Sequence, residues 1–216
     1  MTQPRMTAGL LTLVQWLSPA FPTGGFAYSH GLEKAIAGQE VDSPAALREW
    51  LMDVLDFGAG RQDAILLVQA LQDGADHAVL DALARALQPS AERLSETLDQ
   101  GTAFARTVAG MTGRDLAPRC LPVAVGEAAA GLGLPQAQVV ALYLHAFASN
   151  LVSVAMRFMP LGQAAGQGVL AALHPLIEAL SDEAVTLTLD DLGAAALGAD
   201  LAAMAHETMD VRIFRT

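Results

Sequence analysis

From Leu134 to Met156 the chain carries no Asp, Glu, Lys or Arg. A run of that length satisfies the requirement of about 20 apolar residues for crossing a bilayer, so it has to be either a membrane span or the central helix of a packed bundle. The second reading is preferred. The run contains Gln136, Gln138, His145, Ser149, Asn150 and Ser153, is rich in alanine, and lacks the flanking basic clusters and aromatic belts of a spanning helix. The rest of the chain must then supply helices to bury it. The 216 residues suffice for one domain with a sizeable core, read as 1–216 with no linker long enough to divide it. With 53% apolar and only 16% charged residues, disorder is excluded.

Apolar spacing is helical almost throughout. Ser43 and Pro44 read as an N-cap and first helical residue, after which Leu47, Trp50, Leu51, Val54 and Leu55 mark one face. Further helices are expected over 63–71, from Asp76 to the stop at Pro89, from Ser90 towards Gly110, and over 123–131. The middle of the Ser90 helix is small, at Gly101 and Thr102, which lets another helix approach closely. Pro135 opens the central helix, which ends near Met159 and Pro160. Gly162 to Gly168 is a glycine- and glutamine-rich passage into another apolar helix, where Pro175 is a candidate kink. Val185 to Leu189 is the one strand-like run and has no partner, so it is read as an extended connector, with Asp190 or Asp191 capping a last helix that ends near His206. The fold class is therefore all-α, a single-domain bundle of eight to ten helices followed by a tail, which the resemblance given below implies is flexible over 208–216.

Signatures of catalysis are sparse. Twelve Lys and Arg against 23 Asp and Glu give a formal charge of −11, which disfavours nucleic acid as a ligand. The single cysteine, Cys120, excludes an internal disulfide and suits a reducing compartment. No small-residue cleavage site follows the short apolar stretch before Pro19, so a secretory leader is not expected and the protein is read as cytoplasmic. The five histidines never fall at metal-ligand spacing, so neither a metal site nor a cofactor is read here; His145, on an apolar helix, is expected to be a hydrogen-bonded core residue. No phosphate-binding loop is present, and the Gly162–Gly168 glycines do not follow a strand. Asp182/Glu183 and Asp190/Asp191 read as helix-start charges. No catalytic residue is assigned.

One segment is dense in specific chemistry. Ser18 to Glu33 packs two prolines, three glycines and three aromatics into a short stretch. Proline presets the backbone, glycine permits positive φ, and Phe21, Phe26 and Tyr28 offer contact area with little entropy to lose. Two readings stand: a rigid docking loop, or a turn that covers the core.

These residues carry a resemblance. LTLVQWLSPAFPTGGFAYSHGLE (11–33), ASNLVSVAMRFMPLGQAAGQ (148–167) and HETMDVRIFRT (206–216) are similar, in order and spacing, to three motifs of the UreF family of urease accessory proteins. Departures are Thr102 for the arginine of a Q-G-R motif, Val154 for the first of an alanine pair, Phe158 and Ile213 for leucines, and Thr216 for a serine. The resemblance implies an all-α protein without catalysis of its own, a chaperone-like adaptor in nickel insertion. It implies as partners UreD (UreH), the GTPase UreG and apo-urease, and a homodimer within that complex, with neither nucleic acid nor membrane. By matched position it assigns Gly24, Gly25, Tyr28, Gly31 and Glu33 to the docking loop, Arg157, Gly162, Gln163 and Gln167 to a GTPase-facing surface, and Arg212, Phe214 and Arg215 to a tail that folds against UreD. The alternatives are that Tyr28 and Glu33 satisfy buried groups, that Arg157 pairs internally, and that the tail is a strap on its own core. Beyond the adaptor, a helical enzyme with an unrecognised pocket and a membrane-associated helical protein remain as other classes.

Overall fold

The computed structural model describes residues 3–193 and 195–216; Met1 and Thr2, at the head of the stretch read for a leader, and Ala194 lie outside the described residues. The chain forms helices α1 (Gln3–Trp16), α2 (Leu32–Ala37), α3 (Pro44–Asp56), α4 (Ala59–Ala70), α5 (His77–Ala86), α6 (Ala91–Thr112), α7 (Leu121–Ala129), α8 (Gln136–Phe158), α9 (Gln163–Ala184) and α10 (Leu197–His206), with 3₁₀ turns at Gly25–Ala27, Ala130–Leu132 and Leu189–Asp191. Among the described residues there is no strand.

The helix starts are chemical. The Ser43 hydroxyl accepts the Ala46 N–H at 3.2 Å with Pro44 in the first turn, the Asp76 carboxylate accepts the Ala78 and Val79 N–H groups at 3.1 Å, and the Ser90 hydroxyl accepts the Arg93 N–H at 3.1 Å. Each satisfies a backbone donor that the helix cannot, which is worth about 1 kcal/mol. Asp191 behaves differently from the sequence expectation. It closes a capping box with Thr188 around the short turn at Leu189–Asp191, while α10 begins six residues later behind Ala196. The strand-like run before it turns at Val185 and Thr186 and is extended at Thr188.

α8 is the spine. Val139, Val140, Tyr143, Leu144, Ala148, Leu151, Val152, Val154 and Ala155 are buried, packed against α9, α4, α3 and α2. Among the described residues it is the one helix long and apolar enough to cross a bilayer, and half of its apolar window is buried inside the bundle. α9 begins directly at Gln163, so the glycine-rich passage is helix. Gly166 lies against Met156 and lets α9 close onto α8, and Pro175 sits inside the helix without ending it. The small middle of α6 does the same for a loop: a Cβ on Gly101 would overlap the backbone of Arg119 to Leu121. A smaller core of Leu66, Ala70, Leu80, Ala84, Cys120 and Val123 fills the α4–α5–α7 end. There the buried Asp81 carboxylate accepts the Cys120 N–H at 2.6 Å, and burial pushes the Cys120 thiol up to about 12, so it is an inert thiol.

The tail expected to be loose is bonded along its length in this structure. Phe214 and Thr216 are buried, and the reason is a set of acceptors waiting for it on α2 and α6.

Candidate docking site of the loop and tail

The loop between α1 and α2 needs a left-handed backbone at three places, Gly24 (φ 76°), His30 (φ 58°) and Gly31 (φ 77°). At Gly31 the requirement is double, because a side chain would also meet the Ala203 backbone of α10 at 2.8 Å. The loop rests on α8: the Asn150 amide donates to the Gly25 carbonyl at 3.0 Å and the Arg157 guanidinium donates to the Phe26 carbonyl at 2.8 Å. It then receives the tail, with Arg215 N–H donating to the Ala27 carbonyl at 2.8 Å and Ser29 N–H to the Thr216 carbonyl at 3.0 Å.

Glu33 is the anchor. Buried at the start of α2, its carboxylate accepts the Ile213 and Phe214 N–H groups at 2.8 Å each and faces His206 Nε2 at 3.2 Å. The other His206 nitrogen lies 2.6 Å from Glu92, whose second oxygen accepts from Arg212 at 2.6 Å. Four residues on, Glu96 accepts the Thr216 hydroxyl at 2.8 Å and pairs with Arg93. One turn further, Asp99 accepts the Tyr28 hydroxyl at 2.8 Å, and Arg215 donates to that same phenol oxygen at 3.1 Å. Glu92, Glu96 and Asp99 thus form an acidic stripe down α6 that takes Arg212, Thr216 and Arg215 in turn.

Burial sets the electrostatics. It lowers His30 to about 4, assisted by the Arg93 charge, so this imidazole is neutral. Burial alone would raise Glu96, but Arg93 and the contact from His30 outweigh it and hold the carboxyl at about 2. Burial and the neighbouring Asp99 raise the Tyr28 phenol to about 12. Beneath, on α4, burial raises Asp63 to about 6 against the hydrogen bond that it accepts from Tyr143 at 2.6 Å. A cavity of about 320 Å³ opens between the loop, α6 and α8, lined by Trp16, Phe26, Gln100, Phe104, Asn150 and Gln167.

The structure thus brings together most of the residues singled out from sequence. Gly31, Tyr28 and Glu33 join Arg212, Phe214 and Arg215, and Arg157 joins them, its guanidinium 4.7 Å over the Phe214 ring. Arg157 is therefore committed to the loop and tail within its own chain. Gly24 and Gly25 shape the turn, while Gly162, Gln163 and Gln167 stand exposed at the start of α9. Sequence reasoning missed Glu92, Arg93, Glu96, Asp99 and His206. The spacing of the three carboxylates was legible, but a charged stripe at helical period ordinarily faces solvent, and nothing in it names the tail as its partner.

Chemically, most of the hydroxyl, carboxylate and imidazole groups of this joint are engaged with one another, the exception being the buried His30 Nδ1, which has no hydrogen-bond partner. The buried Ser29 hydroxyl donates to the Thr216 carbonyl and accepts the Glu33 N–H. What faces outward is apolar: Phe26, Val211 and Ile213 are 68%, 78% and 71% exposed, beside the exposed Arg215. Such a surface, bulky and held on a rigid base, is suited to gripping another protein.

A model of the UreF family matches residues 41–174. The chain is 66% identical over 211 residues to the urease accessory protein UreF of Cereibacter sphaeroides strain KD131, covering 98% of this chain and all of that one. The chain belongs to the UreF family of urease accessory proteins. The likeness extends to proteins of the same name from Paracoccus denitrificans, 54% identical over the full length of both chains, and from Roseobacter denitrificans, 49% identical over 97% of this chain and 95% of that one. The Paracoccus denitrificans relative spans the loop and the tail as well as the matched core. The all-α bundle and the recognition drawn from the three motifs are thereby established for this family member.

Proposed function

We propose that this UreF-family chain is a non-catalytic adaptor of the cytoplasm that couples UreD (UreH) to the GTPase UreG during nickel insertion into apo-urease, modulates GTP-dependent action there, and works as a homodimer in that assembly. The observation that carries the reading is the joint of loop, tail and α6 stripe. Most of its polar groups are spent internally, and its outward face carries the exposed Phe26, Val211 and Ile213 beside Arg212 and Arg215. The tail of Arg212, Phe214 and Arg215 is the UreD-facing part, and Gln163 and Gln167, with Gly162 before them, form the GTPase-facing part. Arg157 acts by fixing the loop to the tail. Nickel is cargo in this reading.

Co-expression with tagged UreD and UreG, followed by size-exclusion chromatography, tests it. Co-elution of the three chains is expected, with the isolated protein turning over no GTP. Deleting residues 210–216 is expected to abolish capture by UreD while helical circular dichroism persists. Undiminished capture by the truncated chain refutes the assignment of the tail.

A further inference from the structure

We infer that the cavity between the second half of α3 and the start of α10 is a docking pocket for an arginine side chain carried on a segment of a partner protein. The cavity measures about 300 Å³ and is lined by Trp50, Asp53 and Phe57 on one side and by Ala195 to Ala199 on the other. The inference takes from the adaptor reading only that a protein partner exists, and its test uses none of the urease maturation proteins.

Helical spacing builds the first wall. Trp50, Asp53 and Phe57 are three and four residues apart, so they share one stripe of α3 that runs to its C-cap. The neighbouring stripe of Leu47, Leu51 and Val54 is buried in the bundle, whereas Asp53 and Phe57 are exposed. Backbone contacts fix the second wall. Ala195 N–H donates to the Phe57 carbonyl at 2.8 Å, and Gly58 packs so closely that a Cβ there would lie 2.8 Å from the Ala196 methyl. At Gly198 a Cβ would stand 3.8 Å from the Trp50 ring, so its absence leaves space beside the indole.

The unspent chemistry of these walls selects the occupant. Among the described residues, Asp53 makes no side-chain hydrogen bond or ion pair, and neither Trp50 nor Phe57 stacks on another ring or holds a cation. The Trp50 Nε1–H is buried without a hydrogen-bond partner, and the start of α10 has no side-chain cap. A peptide residue with a guanidinium answers both sets of groups. The planar cation stacks on aromatic faces and pairs with a carboxylate, while the carbonyls of its segment accept from uncapped N–H groups at the helix start. An anion is disfavoured: the lining holds a carboxylate and no Lys or Arg, Asp56 and Asp200 stand on the same two helices, and the chain carries a formal charge of −11. A purely apolar occupant would cover Asp53 and leave its charge unpaired.

The test is a titration of the full, isotopically labelled chain with the peptide acetyl-Gly-Leu-Arg-Leu-Gly-amide, followed by nuclear magnetic resonance. A parallel titration uses the same peptide with citrulline, the neutral isostere, in place of arginine. The chain has two tryptophans, so the indole signals separate Trp50 at the pocket from the buried Trp16. A saturable shift of the Trp50 signal is expected with Trp16 unmoved, and the citrulline peptide should bind about threefold to fivefold more weakly. Asp53→Asn should erase that preference. Asp73→Asn, which changes an exposed carboxylate in the turn after α4, should keep it, and both variants should melt with the parent. Absence of a saturable shift at Trp50, equal affinity for the two peptides, or a preference that survives Asp53→Asn would each overturn the proposal. Equal loss of preference in Asp73→Asn would also overturn it, by reducing the effect to general attraction between a basic peptide and an acidic chain. A Trp50 shift that grows with protein concentration in the absence of peptide would do the same, by giving the pocket to a second copy of this chain.

Discussion

Glu33 carries three partners on two oxygens: Ile213 N–H on one, Phe214 N–H and His206 on the other. Glutamine retains one acceptor and turns the other into a donor aimed at a donor, so Glu33→Gln leaves a buried N–H unsatisfied at a cost of about 1–3 kcal/mol. The expected result is faster amide exchange across 210–216 with the α8 amides unaffected; equal protection of the tail in both proteins would remove Glu33 as its anchor. Asp63 offers a test through pH. Its carboxyl is raised from 3.8 to about 6, so between those values the native state holds a proton that the unfolded chain has lost. The sign follows: the native state is favoured by this group below 3.8, and the advantage is lost as pH rises through 6. Above pH 6 the parent bears a burial cost that Asp63→Asn removes, up to about 3 kcal/mol and less if the carboxylate is partly hydrated. Asp63→Asn should therefore melt higher than the parent at pH 8 and lose that lead at pH 4. A lead that widens on acidification contradicts the assignment. His30, lowered to about 4, has the opposite slope: stability is lost as pH falls from 6.5 to 4, so measurements at matched pH are required.

At the scale of elements, Gly101 illustrates what could be read and what could not. Its small size in the middle of α6 forecast a close neighbour, and the neighbour is the segment from Arg119 to Leu121 rather than a helix. Because the obstructing atoms are backbone, Gly101→Ala is expected to cost about 2–3 kcal/mol, read as a lower midpoint in urea denaturation at unchanged slope. An unchanged midpoint would mean that the segment yields freely. Ser43, Asp76 and Ser90 were legible as caps because side chain, N–H and spacing all lie within four residues. The start of α10 was not legible: Asp190 and Asp191 carry the right chemistry, but Thr188 uses it for a shorter turn. The glycines of 162–168 were equally ambiguous, since glycine marks loops and close helix packing alike, and only contact with Met156 decides. The loose tail came from the resemblance, which assigns Arg212, Phe214 and Arg215 to a segment that folds against UreD. Their partners are Glu92, Asp99 and Arg157, which only the fold brings within reach.

At the scale of the whole molecule, α8 buries half of its apolar window in its own bundle, and surfaces open to another chain also lie elsewhere. α10 presents one. Its inner face, Ala199, Ala202, Ala203 and His206, is buried against α2 and α6, whereas Leu197, Leu201 and Met204 on the outer face are 69%, 64% and 45% exposed. Apart from Asp200 and His206 the helix is apolar, and an exposed apolar stripe of this kind is suited to contact with a partner. Val211 and Ile213 of the tail add exposed apolar area to this margin, beyond the exposed Glu207, Thr208 and Asp210. Under the adaptor reading, UreD takes this margin. Leu201→Glu then removes the anchor without disturbing a buried group: thermal stability should stay within about 0.5 kcal/mol of the parent, while capture by tagged UreD falls sharply. Capture that is unaffected by Leu201→Glu yet lost on deleting residues 210–216 would confine the contact to the tail and leave the outer face of α10 to a different partner.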